Sequence, residues 1–235
     1  MNRNLSRHVV WICSFLVIFS AVAADSNPVV PPAFRMPTAN TRMGNITFVI
    51  FDTETTGFSP AKDRLVEIGA VKVRDGKVLG EKTWLINPRR YIPWYVQQVH
   101  HITPEMVKDM PTFAEIYPEF LEFIDGSVLI AHNAPFDIRF IAAEAARNNM
   151  PAPKNGVLDS LALFRNWYPD LKNHRVSDLL NLFEISSDGL QAHRATDDSL
   201  FVYYAIQKEM ERRSDEPRFQ ELLKSAGSIL RFAGE

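Results

Sequence analysis

The sequence contains a single cysteine and almost no net charge. Cys13 is the only thiol among 235 residues, so neither a disulfide framework nor a cysteine-based zinc site can form within the chain. The formal charge of −2 excludes a globally basic protein. If the partner were nucleic acid, a local basic patch or bridging metal ions would have to attract it. The several long apolar runs of a multispan membrane protein are also missing.

What is present is the composition of an ordinary globular protein, with 46% hydrophobic, 11% aromatic and 23% charged residues. A disordered chain would carry fewer apolar residues and more net charge. A chain of this length can bury a sizeable core without disulfides. We therefore expect one folded domain.

Residues 1–23 have the pattern of a signal peptide. Arg3 and Arg7 precede an apolar run over residues 9–23, and Ala21-Val22-Ala23 is a small-x-small cleavage pattern. The pattern predicts export, to the periplasm or out of the cell. Two alternatives stay open: the run is an uncleaved membrane anchor, or translation starts at Met43 and the protein is cytoplasmic. The expected organisation is a signal peptide (1–23), a proline-rich linker (24–44), a folded domain (45–213) and a loosely packed C-terminal tail (214–235).

Short β-branched and aromatic runs predict strands over residues 45–51, 65–74 and 77–86, and Asp75-Gly76 is a hairpin turn signal between the last two. A further strand is predicted over residues 127–132. Helices are predicted over residues 104–109, 112–124, 136–148, 160–167, 176–183 and 196–213. Strands first, and then helices alternating with strands, indicate an α/β fold with a mixed sheet flanked by helices.

Carboxylates follow the first predicted strand. Asp52 and Glu54 point to the same face, because side chains alternate along a strand. Two carboxylates in one small space repel each other, so a hard metal ion is their natural partner. The alternative is that the string DTETTG is only a polar turn.

Two further acidic clusters lie where helices begin. Asp137, in the string HNAPFD, falls in the first turn of a helix, either as a metal ligand or as an acid that the helix dipole favours. His193, Asp197 and Asp198 lie in the string HRATDD before the last long helix, for which Thr196 is a plausible N-cap. The two aspartates point about 100° apart around a helix, so spacing alone does not choose between them.

Together, the strings DTETTG, EIGAV, HHIT, HNAPFD and HRATDD resemble those of the DEDDh exonucleases. This family includes the proofreading subunit of bacterial replicative DNA polymerase, and the likeness runs from about residue 47 to about residue 213. The resemblance implies a single domain of ribonuclease H-like fold. It also implies hydrolysis of phosphodiester bonds at the 3′ ends of DNA or RNA, with release of nucleoside monophosphates.

By position, the resemblance also implies roles for eight residues. Two divalent cations, Mg²⁺ or Mn²⁺, would bind to four acids, a histidine would act as general base, and no small-molecule cofactor is implied. The metal ligands would be Asp52, Glu54, Asp137 and Asp198, the general base His193, and the substrate contacts Thr53, Val99 and His100. Two residues depart from the family pattern: His101 stands where a glycine is usual, and Thr196 where an apolar residue is usual.

Other polar residues permit structural explanations. We expect His132 to order the end of a strand, Asp159 to cap the next helix, and Lys172 and Arg175 to lie in a solvated loop rather than on phosphate. Glu67 lies in an otherwise apolar strand, and the sequence indicates no role for it. A different class of function also fits the motifs: a nucleic-acid end-binding or polymerase-docking module with little or no catalysis. A membrane is a partner only if residues 1–23 are retained.

Overall fold

The computed structural model describes residues 31, 33–185, 194–214 and 216–232. The predicted signal peptide lies outside these residues, so its cleavage and the export that it implies stay predictions. Within the described part of the chain, no helix is long and apolar enough to cross a membrane.

Five strands form a mixed sheet at the centre of the domain. They are β1 (Thr47–Thr55), β2 (Leu65–Arg74), β3 (Lys77–Leu85), β4 (Val128–Ala131) and β5 (Val157–Asp159). Their order across the sheet is β3-β2-β1-β4-β5. The first three strands pair antiparallel, with the predicted hairpin between β2 and β3, and β4 and β5 add in parallel on the other side of β1.

Helices cover both faces of the sheet, which confirms the predicted fold class. They are α1 (Trp94–His100), α2 (Pro104–Val107), α3 (Phe113–Ile124), α4 (Ala134–Arg147), α5 (Ser160–Trp167), α6 (Val176–Leu182), α7 (Ala195–Arg213) and α8 (Phe219–Ala226). The six predicted helices are present within a few residues of their expected bounds. Helices α1 and α8 and the short strand β5 were not predicted from the sequence.

The side chains of β1 alternate between two hydrophobic cores. Phe51 packs in the core with α3 and α4, whereas Ile50 packs in the core with α5 to α8. The strand continues beyond these apolar residues, so Asp52 and Glu54 extend the row of Ile50, and Thr53 extends the row of Phe51. The carboxylates of Asp52 and Glu54 therefore lie on the face of the sheet that carries α7, and the hydroxyl of Thr53 lies on the face that carries α4.

The prediction of a loosely packed C-terminal tail is wrong for much of its length. Phe219 and Leu222 of α8 are fully buried, since the apolar residues of this short helix recur on one face. The backbone N–H of Phe219 donates to the Thr41 carbonyl at 2.9 Å, and Leu230 pairs with Val157 of β5. The end of the predicted linker and the tail therefore pack together on the domain.

Candidate active site

Three carboxylates from two elements meet at one end of the sheet. Asp52 and Glu54 lie near the end of β1, and Asp198 lies in the first turn of α7. One oxygen of each carboxylate lies within 4.8 Å of the others, and all three side chains are partly accessible to solvent. Asp198, and not its neighbour Asp197, joins this cluster. The structure therefore brings together three of the four predicted metal ligands.

Burial and mutual repulsion raise the pKa values of these acids. Burial, followed by the charges of Asp137 and Glu54, raises the pKa of Asp52 well above its ordinary 3.8. The pKa of Glu54 rises to about 9, first through burial and then through the charges of Asp198 and Glu67. Without a cation, the cluster therefore holds protons at neutral pH that a bound cation would displace.

Asp137, the fourth predicted ligand, joins the same strand end from the opposite side. It lies in the first turn of α4 and is 2% exposed. The Thr53 hydroxyl donates a hydrogen bond of 2.6 Å to its Oδ1. Burial raises the pKa of Asp137 to about 7, although the hydrogen bond from Thr53 acts in the opposite direction. The charge of Asp137 also raises the pKa of Asp52, so the four acids form one electrostatic unit.

Asp159 and His132 hold the elements around the site. The Asp159 carboxylate accepts hydrogen bonds from the backbone N–H of Leu161 in α5 and of Asn133 ahead of α4, both at 3.0 Å. The His132 ring hydrogen-bonds through Nδ1 to the Ser160 hydroxyl at 3.0 Å. The expected structural roles of both residues are confirmed, and through them the start of α4, which carries Asp137, is tied to β5 and α5.

Glu67, for which the sequence indicated no role, fixes the start of α7. It lies opposite Glu54 in the β1–β2 register and is fully buried. Its carboxylate accepts hydrogen bonds from Arg194 Nη2 at 2.6 Å and from the Ala195 backbone N–H at 3.0 Å. Arg194 Nε lies 3.2 and 3.3 Å from the two carboxylate oxygens. Strand β2 thus positions the helix that carries Asp198.

The same contact corrects the predicted start of α7. The helix begins at Ala195 rather than after Thr196, because Glu67 accepts from the Ala195 N–H, one of the donors at a helix start that have no partner within the helix. The Thr196 hydroxyl instead contacts Thr83 of β3. Gly69 allows the close approach, since a β-carbon there would lie 2.1 Å from the Thr196 nitrogen. The string EIGAV therefore docks α7 on the sheet.

The donor set fits a divalent cation. In the described part of the chain, the group that could hold a metal consists of three carboxylates, without a histidine or cysteine. Oxygen donors of this kind select hard cations such as Mg²⁺, Mn²⁺ and Ca²⁺. Positive charge would also relieve the repulsion that raises the pKa values of these acids. The site is therefore suited to divalent metal ions.

The remaining predicted site residues are placed differently from one another. His193 lies outside the described residues, one position before Arg194. Val99 and His100 are the last residues of α1, and Val99 is 50% exposed. His100 is buried, and its Nδ1 accepts a hydrogen bond of 3.0 Å from the Ile102 N–H. Val99 therefore presents an accessible side chain, whereas the His100 ring packs inside the protein.

His101, the departure from the family pattern, ends α1. Its backbone lies in the left-handed region, with φ of 60° and ψ of 16°. Glycine adopts this conformation without steric cost, whereas a residue with a β-carbon does not. The helix end therefore accounts for the glycine that is usual at this position.

A family model described as Exonuclease matches residues 49–206, a range that contains all four acids. The DNA polymerase III subunit epsilon of Treponema pallidum is 38% identical over 157 residues, which cover 66% of this chain and 72% of that protein. The DNA polymerase III PolC-type of Caldanaerobacter subterraneus subsp. tengcongensis is 42% identical over 152 residues, 65% of this chain. The match covers 11% of that relative, so the chain spans about a tenth of its length.

Solved structures of exonucleases have the same fold as this chain. Exonuclease X in complex with 5′ overhanging duplex DNA superposes with a TM-score of 0.59 and 28% identity, over 74% of this chain and 97% of that chain. The nuclease domain of 3′hExo, a DEDDh family member bound to rAMP, has a TM-score of 0.63 over 73% of this chain and 94% of that chain. Its 15% identity shows the fold alone. The chain belongs to the exonuclease family, as its resemblance to the DEDDh exonucleases predicted.

Proposed function

We propose that the protein is a metal-dependent 3′-to-5′ exonuclease that hydrolyses phosphodiester bonds at nucleic-acid 3′ ends and releases nucleoside monophosphates. The observation that carries this proposal is the meeting of Asp52, Glu54 and Asp198 within 4.8 Å. Glu67, which has a structural role, is instead paired with a cation of the chain, Arg194. The mutual repulsion of Asp52, Glu54 and Asp198 supports the proposal that metal ions bind between them and that the metal ions in turn bind a phosphate of the substrate.

Two Mg²⁺ or Mn²⁺ ions are the cations that we assign to the site. When bound, such a pair stabilises the charge on the attacking and leaving oxygens of a phosphodiester. The chain supplies the placement: Thr53 holds Asp137 by its hydrogen bond, and Glu67 holds the helix that carries Asp198. The proposed ligands are Asp52, Glu54, Asp137 and Asp198.

His193 is the general base of this proposal. It precedes Asp198 by five residues and directly precedes Arg194, which is fixed to the sheet. A neutral imidazole there would take the proton of the attacking water while the bond from phosphorus to the 3′ oxygen breaks. His193→Ala is expected to lower turnover by about 10² to 10⁴ and to leave metal binding intact. If this variant kept a turnover near that of the parent, a group other than His193 would accept the proton of the attacking water.

An assay with end-labelled single-stranded DNA and RNA oligonucleotides tests the activity. Metal-stripped protein supplied with Mg²⁺ or Mn²⁺ is expected to produce a ladder that shortens from the 3′ end, and none in excess chelator. Asp137→Asn is the matched inactive control, because it keeps the size and an acceptor for the Thr53 hydroxyl. Cleavage in excess chelator would contradict metal dependence. Tight binding without cleavage would support the end-binding or polymerase-docking module instead.

We further propose that the mature protein is exported, on the basis of the charged start, apolar run and cleavage pattern of residues 1–23. N-terminal sequencing of the native protein tests this. A start near Ala24 supports export, and a start at Met43 contradicts it. Retention of residues 1–23 in a membrane fraction would support an anchor instead.

A further inference from the structure

A groove of about 820 Å³ opens beside Asp198, next to the acidic cluster. The end of β4, helix α5 and the segment over residues 172–177 border it. Asp198 lines the groove and also belongs to the cluster with Asp52 and Glu54. The groove is therefore continuous with the candidate active site.

The walls of this groove are basic. Arg165, Lys172 and Arg175 line it and are exposed to solvent. Among the described residues that line the groove, Asp198 is the one acid. Within the described ranges, none of the three cations forms an ion pair with a carboxylate. In a chain with a net charge of −2, the groove is therefore a local concentration of positive charge.

The basic segment is tied to the sheet rather than loose in solvent. The His132 ring, directly after β4, hydrogen-bonds through Nε2 to the His174 carbonyl at 2.7 Å. The His174 ring in turn hydrogen-bonds through Nε2 to the Tyr168 carbonyl at 2.9 Å. These bonds fix the backbone between Lys172 and Arg175 relative to β4, the strand beside β1. The backbone that carries Lys172 and Arg175 is therefore held at a defined place beside the end of β4.

We propose that this groove binds the backbone phosphates of the nucleic-acid strand on the 5′ side of the bond that is cut. The inference rests on the proposed function, because a 3′-to-5′ exonuclease leaves a single nucleotide beyond the scissile phosphate. A groove with three cations exceeds what that one nucleotide needs, so the retained strand is its occupant. Phosphate contacts of this kind supply affinity and register without reading sequence.

Two substrates separate binding in the groove from the reaction itself. A single-stranded oligonucleotide of about 20 nucleotides reaches the groove, whereas the p-nitrophenyl ester of thymidine 5′-monophosphate occupies the reaction site alone. The test variant is Lys172→Ala with Arg175→Ala. The matched control is Arg74→Ala with Lys77→Ala, which removes two exposed cations from the opposite end of the β1–β2 pair.

For the oligonucleotide, the groove variant is expected to show a KM raised about tenfold and a weaker dependence on salt. The slope of log kcat/KM against log salt should fall by about 0.7 for each phosphate that no longer meets a cation, or about 1.4 for two such phosphates. Turnover of the ester should equal that of the parent, and the control variant should match the parent on both substrates.

Three results would overturn the inference, and they point to different causes. An unchanged KM and salt slope in the groove variant, with normal cleavage by the parent, would remove the groove and leave the proposed function intact. Equal decreases on the ester and the oligonucleotide would show that the Lys172 and Arg175 side chains support the reaction site instead. Failure of the parent to cleave either substrate would overturn the proposed function, and this inference with it.

Discussion

Glu54 and Glu67 are paired in the β1–β2 register, yet the two carboxylates differ in burial and in their hydrogen-bond partners. Glu67 is fully buried and accepts hydrogen bonds from Arg194 and from a backbone N–H. Glu54 is partly accessible, and Arg194 offsets only in part the burial and acidic charges that raise its pKa to about 9. Among the described residues, Glu67 forms an ion pair and Glu54 does not.

The difference separates a structural acid from a functional one. A buried ion pair that is fully hydrogen-bonded holds two elements in one arrangement, here β2 and α7. An array of acids without enough positive charge is unfavourable until a cation arrives, so part of its cost is recovered on binding. We therefore expect that removal of the Glu54 carboxylate abolishes activity without loss of fold. Removal of the Glu67–Arg194 pair should lower activity by displacing α7, which carries Asp198.

The largest effect is expected from Glu54→Gln. Loss of this carboxylate should lower turnover by about 10³ or more, equivalent to roughly 4 kcal/mol of barrier at 1.36 kcal/mol per decade. The metal-free variant should melt at or above the temperature of the parent, because a glutamine at this position folds without the proton uptake that the raised pKa of Glu54 imposes. Exonuclease assays and thermal melts check both statements, with Glu81→Gln, an exposed glutamate of β3, as control. A variant that kept a tenth of the parent activity would contradict a direct role in metal binding.

A smaller effect is expected from Arg194→Ala, which leaves Glu67 buried without its cation. Breaking such a pair costs about 3 kcal/mol of stability. A displacement of α7 by about 1 Å would lower kcat by about a hundredfold. The metal concentration needed for half-maximal activity should rise, whereas KM for a short substrate should change little.

Arg194→Lys is the matched variant for this pair, since it keeps the charge but not the two-nitrogen contact with Glu67. It should recover stability more than activity. Chemical denaturation and metal titrations of activity measure the two quantities. Parent-like stability and kcat in the alanine variant would show that the pair does not position α7.

The acidic cluster should also make the metal-free protein less stable at high pH. The ordinary pKa of glutamate is 4.5, and that of Glu54 in the folded protein is about 9. Between these values the folded state holds a proton that the unfolded state has released, so stability falls as pH rises, by about 1.4 kcal/mol per pH unit for one proton. Asp137 adds to this between its ordinary 3.8 and about 7.

Thermal melts from about pH 5 to about pH 9, with chelator and with Mn²⁺, measure this effect. The melting temperature in chelator should fall with pH, and the stabilisation by Mn²⁺ should grow with pH. Glu54→Gln should flatten the curve in chelator. Equal slopes for the parent and this variant would show that Glu54 does not carry the predicted proton.

The smallest expected effect concerns His101 at the end of α1. His101→Gly should raise the free energy of unfolding by about 1 kcal/mol, because glycine relieves the left-handed backbone at φ of 60°. Chemical denaturation measures the change in free energy of unfolding. The neighbouring His100, which is buried, is left unchanged in this variant. A loss of stability would show that the His101 side chain makes a contact that outweighs the backbone cost.

Local patterns predicted much of this molecule, and long-range contacts account for what they missed. The hairpin at Asp75-Gly76 and the strand alternation that pairs Asp52 with Glu54 depend on neighbouring residues, and the structure has both. Glu67 and Arg194 lie 127 positions apart, so no local spacing indicates their contact. A lone acid in an apolar strand was the one available signal, because a buried charge needs a partner.

The same limit explains the missed elements. Helix α8 is short, and it is stable because its apolar face packs in the core that also contains α5 to α7. The start of α7 was misplaced because Glu67, on another strand, caps it in place of a local side chain. Spacing alone did not choose between Asp197 and Asp198, because the packing of α7 on the sheet sets the rotation of that helix; the resemblance to the family selected Asp198, which the structure places in the cluster.

Calorimetric titration of the metal-free protein with Mn²⁺ at about pH 8, in two buffers of different ionisation enthalpy, tests the central claim most directly. If the acidic cluster is a cation site, Mn²⁺ binding must displace the proton that Glu54 holds at this pH, since its pKa is about 9. We expect release of about one proton per protein in the parent and markedly less in Glu54→Gln, with Glu67 still paired in both. Binding without proton release in the parent, or no binding at all, would contradict the account.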